Sequence, residues 1–213
     1  MIVPSMNSEE LANEVLSDYD SVLRKVKYLI AALRREAIRS RNKKLFKIFD
    51  HKSKQMNNWL ICLDYNMGDP LVMMVTHYLN KSGLNAILKL SDNKTLVHYS
   101  SHFLERYNER FLKQEHITKL ELLKRFLPQN NITTFDLTTY SGDNNFEVFA
   151  KFKDGVGLGT SVQLNNCLMV NLKTYISTEM IMDFQKKEHE SITKAYQKFW
   201  DEFLKTTGKD DFN

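Results

Sequence analysis

The sequence predicts an α+β protein, an antiparallel sheet with helices packed on it and long amphipathic helices at both termini. Three observations predict this. Between Trp59 and Tyr99, short apolar runs alternate with turn-forming Asn, Gly, Asp and Pro residues. The same pattern returns between Thr133 and Ile176. Before, between and after these stretches, apolar residues recur at spacings of three and four instead.

Each element follows from local chemistry. Ser8-Glu9-Glu10 offers a serine N-cap with acids in the first turn. Leu11, Val15, Tyr19, Val22, Val26, Leu29 and Leu33 then form one apolar stripe, on a helix expected to run to about Ser40. Arg41 to Lys54 is expected to form a second, shorter basic helix, so residues 1–56 read as a basic helical N-terminal segment and residues 57–213 as the α+β domain. Trp59–Tyr65, Leu71–Leu79, Leu84–Leu90 and Thr95–Tyr99 read as strands whose short connections favour antiparallel pairing. A helix from Ser101 to about Lys113 would turn Phe103, Leu104, Tyr107 and Phe111 inward. Thr118 with Glu121 makes a capping box for a third helix ending before Pro128. Four more strands follow, Thr133–Tyr140, Phe146–Lys153, Val156–Leu164 and Cys167–Ile176, and Ser177-Thr178-Glu179 opens a C-terminal helix to about Thr206. Gly155-Val156-Gly157-Leu158-Gly159 superficially resembles a phosphate loop, but no helix follows it, and a hairpin with a closely packed strand accounts for it better.

The chain has 213 residues, 42% of them hydrophobic, which is enough for a substantial core. No apolar run approaches the roughly 18 residues of a membrane span, and MIVPSMNSEE lacks the pattern of a secretory leader. Cys62 and Cys167 sit within apolar runs and read as small core residues. A cytoplasmic protein without a membrane partner is expected. Net charge is +4, yet Arg24 to Lys54 alone holds twelve Lys/Arg against two acids, Glu36 and Asp50. Such a concentration suits an anionic partner, nucleic acid or an acidic protein surface, and Arg34, Arg35, Arg39, Arg41, Lys43 and Lys44 are the candidate nucleic-acid contacts. A solvated basic helix face would have the same composition.

The stretch His98 to Arg110, HYSSHFLERYNER, concentrates chemistry. On a helix, His102, Arg106 and Arg110 share one face. A histidine that moves protons beside two permanent cations is what metal-free cleavage of a phosphodiester would use. His98 is a second proton-transfer candidate. Glu105 and Glu109 are equally placed to pair with the arginines in an ordinary surface network. His98 and His102 lack the glutamate of a zinc-hydrolase helix, so no metal site is expected, and no cofactor is implied.

SHFLERYNERFLKQEHITKLELLKRFL resembles the opening helices of small bacterial domains related to RelE-type and BrnT-type ribonuclease toxins. The matching residues are His102, Glu105-Arg106, Glu109-Arg110 and Ile117-Thr118, with Lys113–His116 inserted. The likeness covers about residues 98–177. It implies an RNA-cleaving or RNA-binding function, with His102 as base or acid, Arg106 and Arg110 on phosphate oxygens, and Tyr175 stacking on a base or acting late in the chemistry. It also implies an antitoxin-like inhibitor or other protein partner. The competing expectation is a non-catalytic binding or scaffold protein, a homo-oligomer assembled through its terminal helices.

Overall fold

The computed structural model describes residues 1–66, 68–90, 94–130, 134–140 and 145–181. Among these, the chain builds an α+β fold in which α1 (Ser8–Ser40) precedes five strands: β1 (Lys44–Lys52), β2 (Asn58–Asn66), β3 (Leu71–Asn80), β4 (Gly83–Lys89) and β5 (Thr95–Tyr99). Then come α2 (Ser101–Tyr107), a π-helical turn (Asn108–Leu112) and α3 (Lys119–Gln129). Four strands complete it: β6 (Thr134–Tyr140), β7 (Asn145–Phe152), β8 (Gly155–Gln163) and β9 (Leu168–Ser177).

The strands form one nine-stranded sheet in the order β1-β2-β3-β4-β5-β9-β8-β7-β6. It consists of two antiparallel meanders joined by a parallel seam, β5 on β9, in the register Thr95↔Leu168 to Tyr99↔Leu172. The sheet is therefore mixed rather than purely antiparallel. A parallel pair needs a long crossover, and everything from Ser100 to Cys167 supplies it.

Helices cover both faces. On one, α1 lays Leu11, Val15, Val22, Val26 and Leu33 over Trp59, Ile61, Leu63, Met74, Ile87, Leu96 and Met169. On the other, Phe103, Leu104 and Tyr107 of α2 and Leu123 and Phe126 of α3 pack on Cys62, Val75, Val97, Tyr99 and Phe152. Both cysteines are buried and unbridged. Two-sided burial explains why β2 reads as the unbroken apolar run Leu60-Ile61-Cys62-Leu63. The second face is dominated by rings, with Tyr107 and Phe126 edge-to-face at 4.9 Å and Tyr107 and Tyr175 at 5.1 Å. Gly157 makes room for them, since a Cβ there would sit 2.8 Å from the Phe152 ring. This close approach, not phosphate binding, accounts for the central glycine of the Gly155–Gly159 stretch.

Several elements differ from their sequence expectation. Residues 44–52 form the edge strand β1, paired with β2 from Lys44↔Asn66 to Lys52↔Asn58, not a second basic helix. Lys44, Phe46, Ile48 and Asp50 alternate with Leu45, Lys47, Phe49 and His51, a period of two that the dense charge hides. The N-cap of α1 is Asn7 rather than Ser8, because Asn7 and Glu10 close a reciprocal capping box. Thr118 accepts from the Glu121 amide at 3.2 Å, but the Glu121 carboxylate turns to Arg125 at 3.4 Å. Helix α3 continues through Pro128 to Gln129. After Ser177 the chain makes a single 3₁₀ turn, Thr178–Met180. The rest of the expected C-terminal helix lies outside the described residues.

Candidate nucleic-acid interface

The expected catalytic residues are placed on four elements: α2, the π turn, β5 and β9. Ser100 caps α2 by accepting from the Phe103 amide at 3.1 Å, which starts the helix one residue later and sets His102 outward. His102 is exposed, and Arg106 Nε donates to its Nε2 at 3.4 Å. Arg106 also pairs with Glu109 at 2.6 Å. Arg110 follows a different course. The π turn, closed by the Lys113 amide on the Asn108 carbonyl, is wider than an α turn and takes Arg110 off the line of His102 and Arg106. Its guanidinium donates to the Tyr175 backbone carbonyl and fastens the turn to β9.

His98 lies on β5 beneath α1, on the opposite face of the sheet from α2, because its parity matches Leu96 rather than Val97 and Tyr99. Its Nδ1 and Nε2 are engaged by Asn171 Oδ1 at 3.1 Å and Tyr78 Oη at 3.2 Å, and burial pushes its pKa down. Tyr175 is fully buried among Phe103, Tyr107 and Phe152, and its hydroxyl has no hydrogen-bond partner among the described residues. Burial pushes that hydroxyl upward in pKa. Neither residue is therefore assembled with His102. Glu105 is nearer, but Lys119 holds it at 2.6 Å and keeps its carboxyl below the usual range, chiefly through that hydrogen bond. It stays an ionised partner of Lys119.

The basic segment folds into something more specific than a solvated helix face. Ser21 to Ser40 climbs about 30 Å at the usual helical rise, and the strand β1 returns over about 30 Å. The middle of α1 is thereby brought opposite the end of β1. Ser21, Arg24, Lys25 and Tyr28, on one helical face, line one wall of a cleft of about 400 Å³, and His51, Lys52 and Lys54 line the other. No carboxylate lines it, and among the described residues none of Arg24, Lys25, Lys52 or Lys54 is ion-paired.

One buried acid holds these walls together. Asp18 falls in the apolar stripe of α1, between Val15 and Val22, and is fully buried. Its carboxylate accepts from Asn57 Nδ2 and Trp59 Nε1 at 2.9 Å each and from Ser21 Oγ at 2.8 Å. Burial raises its pKa, but the hydrogen bonds from Ser53, Asn57, Trp59 and Ser21 outweigh this and hold it below the usual carboxylate range. Asn57 in turn closes the Ser53–Asn57 turn, Ser53 N to Asn57 O at 2.9 Å, between β1 and β2. Sequence reasoning passed over Asp18. An acid at a core position of an amphipathic helix is the signal that marks it.

The six cations expected to bind nucleic acid lie further along. Arg34 pairs with Asp69. Arg35, Arg39, Arg41, Lys43 and Lys44 are exposed around the α1–β1 connection, with Arg41 in the left-handed conformation at φ 53°. Between them and the cleft, Lys47 bridges to Glu36 at 2.5 Å. Among the described residues no group of three or more His, Cys, Asp or Glu is placed to hold a metal ion, and no helix is long and apolar enough to cross a membrane. Compared with known proteins, the chain matches no family model, no curated protein and no solved structure.

Proposed function

We propose that this protein binds RNA through the α1–β1 cleft, and that binding rather than cleavage is its activity. The observation that carries the reading is the convergence of Arg24, Lys25, Lys52 and Lys54 on one concavity without a lining carboxylate. Like charges gathered in this way repel one another, and phosphates relieve the repulsion while releasing their counterions. RNA is favoured over DNA by the likeness of residues 98–177 to RNA-acting toxin domains. Cleavage is set aside because His102 would act without His98, which is on the other face, or Tyr175, which is buried.

The test is binding of a labelled RNA oligonucleotide to the full-length protein between 50 and 200 mM salt. Four phosphate contacts predict a slope of log K against log salt of about −3. Lys52→Glu with Lys54→Glu should weaken binding at least tenfold and flatten the slope, and the RNA should stay intact. Wild-type affinity in that double variant would overturn the proposal.

A further inference from the structure

The geometry points to single-stranded RNA as the ligand of this cleft, with a base stacked on Tyr28; we propose this on top of the RNA-binding reading. Tyr28 is 69% exposed, among the most exposed large apolar side chains described, and it lines the cleft beside Arg24, Lys25, Lys52 and Lys54. It is not on the buried stripe of α1, where Val22, Val26 and Leu33 are in contact with the sheet. Its described ring contact is Lys25, whose Nζ lies 5.8 Å from the centroid. Packing does not explain a tyrosine here.

The spacing supplies a binding logic. Ser21, Arg24, Lys25 and Tyr28 stand at i, i+3, i+4 and i+7, so the aromatic ring follows the helical cations along one face. Lys52 and Lys54 face them from the other wall. A π surface among backbone-tracking cations is the arrangement that holds unpaired bases, because every base has a face to stack and its phosphates lie within reach. A duplex keeps its bases stacked on each other and would use the cations alone. The Ser21 hydroxyl donates to Asp18 at 2.8 Å, and the His51 ring is a further polar group of the lining within the cleft that a base edge could meet. A cleft of about 400 Å³ suits a group of nucleotide size, within the range of about 300–1,000 Å³ in which small ligands are bound.

The test compares a single-stranded RNA oligonucleotide with a blunt RNA duplex, using full-length wild type, Tyr28→Ala, Tyr28→Phe and the Lys52→Glu/Lys54→Glu variant. Tyr28→Ala should weaken single-strand binding about tenfold, leave duplex binding and the salt slope unchanged, and be rescued by Tyr28→Phe. A single strand bearing 5-iodouridine should photocross-link to Tyr28. If Tyr28→Ala binds the single strand as wild type does while Lys52→Glu/Lys54→Glu is weakened, the stacking inference falls and the RNA-binding reading stands. If neither variant weakens binding, both fall. Because Tyr28 is exposed and alanine favours helix, circular dichroism should be the same for wild type and Tyr28→Ala.

Discussion

Arg106 and Lys119, on the α2–α3 side of the sheet, each meet a carboxylate at 2.6 Å. Arg24, Lys25, Lys52 and Lys54, at the α1–β1 cleft, meet none among the described residues. The difference follows from where the partners lie in the chain. Glu109, in the π turn that continues α2, is three residues from Arg106, so the helical stretch that presents the cation also presents its counterion. The cleft joins a helix face to a strand end some thirty residues later, and only the fold brings those cations together. A self-neutralising surface needs no ligand. A concavity of converging like charge gains from an anionic ligand, which is why the proposed function rests on the second region although the sequence directs attention to the first.

Breaking the brace between the cleft walls should have the largest effect. Asp18→Ala would leave the Trp59 and Asn57 donors buried without their acceptor and should cost about 3–5 kcal/mol, read by urea unfolding. The same brace gives a pH dependence of known sign. Because the folded-state pKa of Asp18 is depressed, the unfolded chain binds the proton more readily. The stability from Asp18 is complete above the ordinary carboxylate range and is lost as pH falls through and below it. Asp18→Ala should flatten this acid limb, and an unchanged limb would remove Asp18 as its source.

Smaller effects should sharpen the contrast from the other side. Arg110→Ala deletes a charged donor to the Tyr175 carbonyl and should destabilise by about 1–2 kcal/mol, with RNA affinity within twofold of wild type. His102→Ala and Arg106→Ala should change stability by about 0.5 kcal/mol or less, as exposed pairs do, and should leave RNA binding and RNA integrity unaltered. A fivefold loss of RNA affinity in Arg106→Ala would erase the distinction between the two surfaces and return the α2 face to candidacy.

Much of the architecture is legible in the residues. The stripe from Leu11 to Leu33 is buried as its spacing requires, with Tyr19 and Leu29 half-buried at its margins. Strands β2 to β5 and β7 to β9 fall within a residue or two of where turn residues bound them. The basic segment draws attention by charge alone. Its conformation does not follow from charge, because Lys47 within the Leu45-Lys47-Phe49-His51 face, with Lys44 and Lys52 at the strand ends, masks the periodicity that a strand leaves in sequence. The candidate site was legible only in its composition. Tyr28 and the cations of 24–25 and 52–54 belong to one cleft through a turn held by Asp18, a contact that spans about forty residues.

The residues alone fix what is local: the helices that start near Ser8, Ser101 and Lys119, the bounds of β2 to β5 and β7 to β9, and the side chains that seek a core. Capping, turn chemistry and hydrophobic period act over a few residues, and no partner element is needed to read them. Long-range contacts set β5 parallel to β9, make residues 44–52 the sheet edge, turn His98 and His102 to opposite sides, and gather four cations in one cleft. Those outcomes rest on backbone pairing and burial between distant segments, where many arrangements satisfy the same local pattern and the one that covers both faces of the sheet prevails.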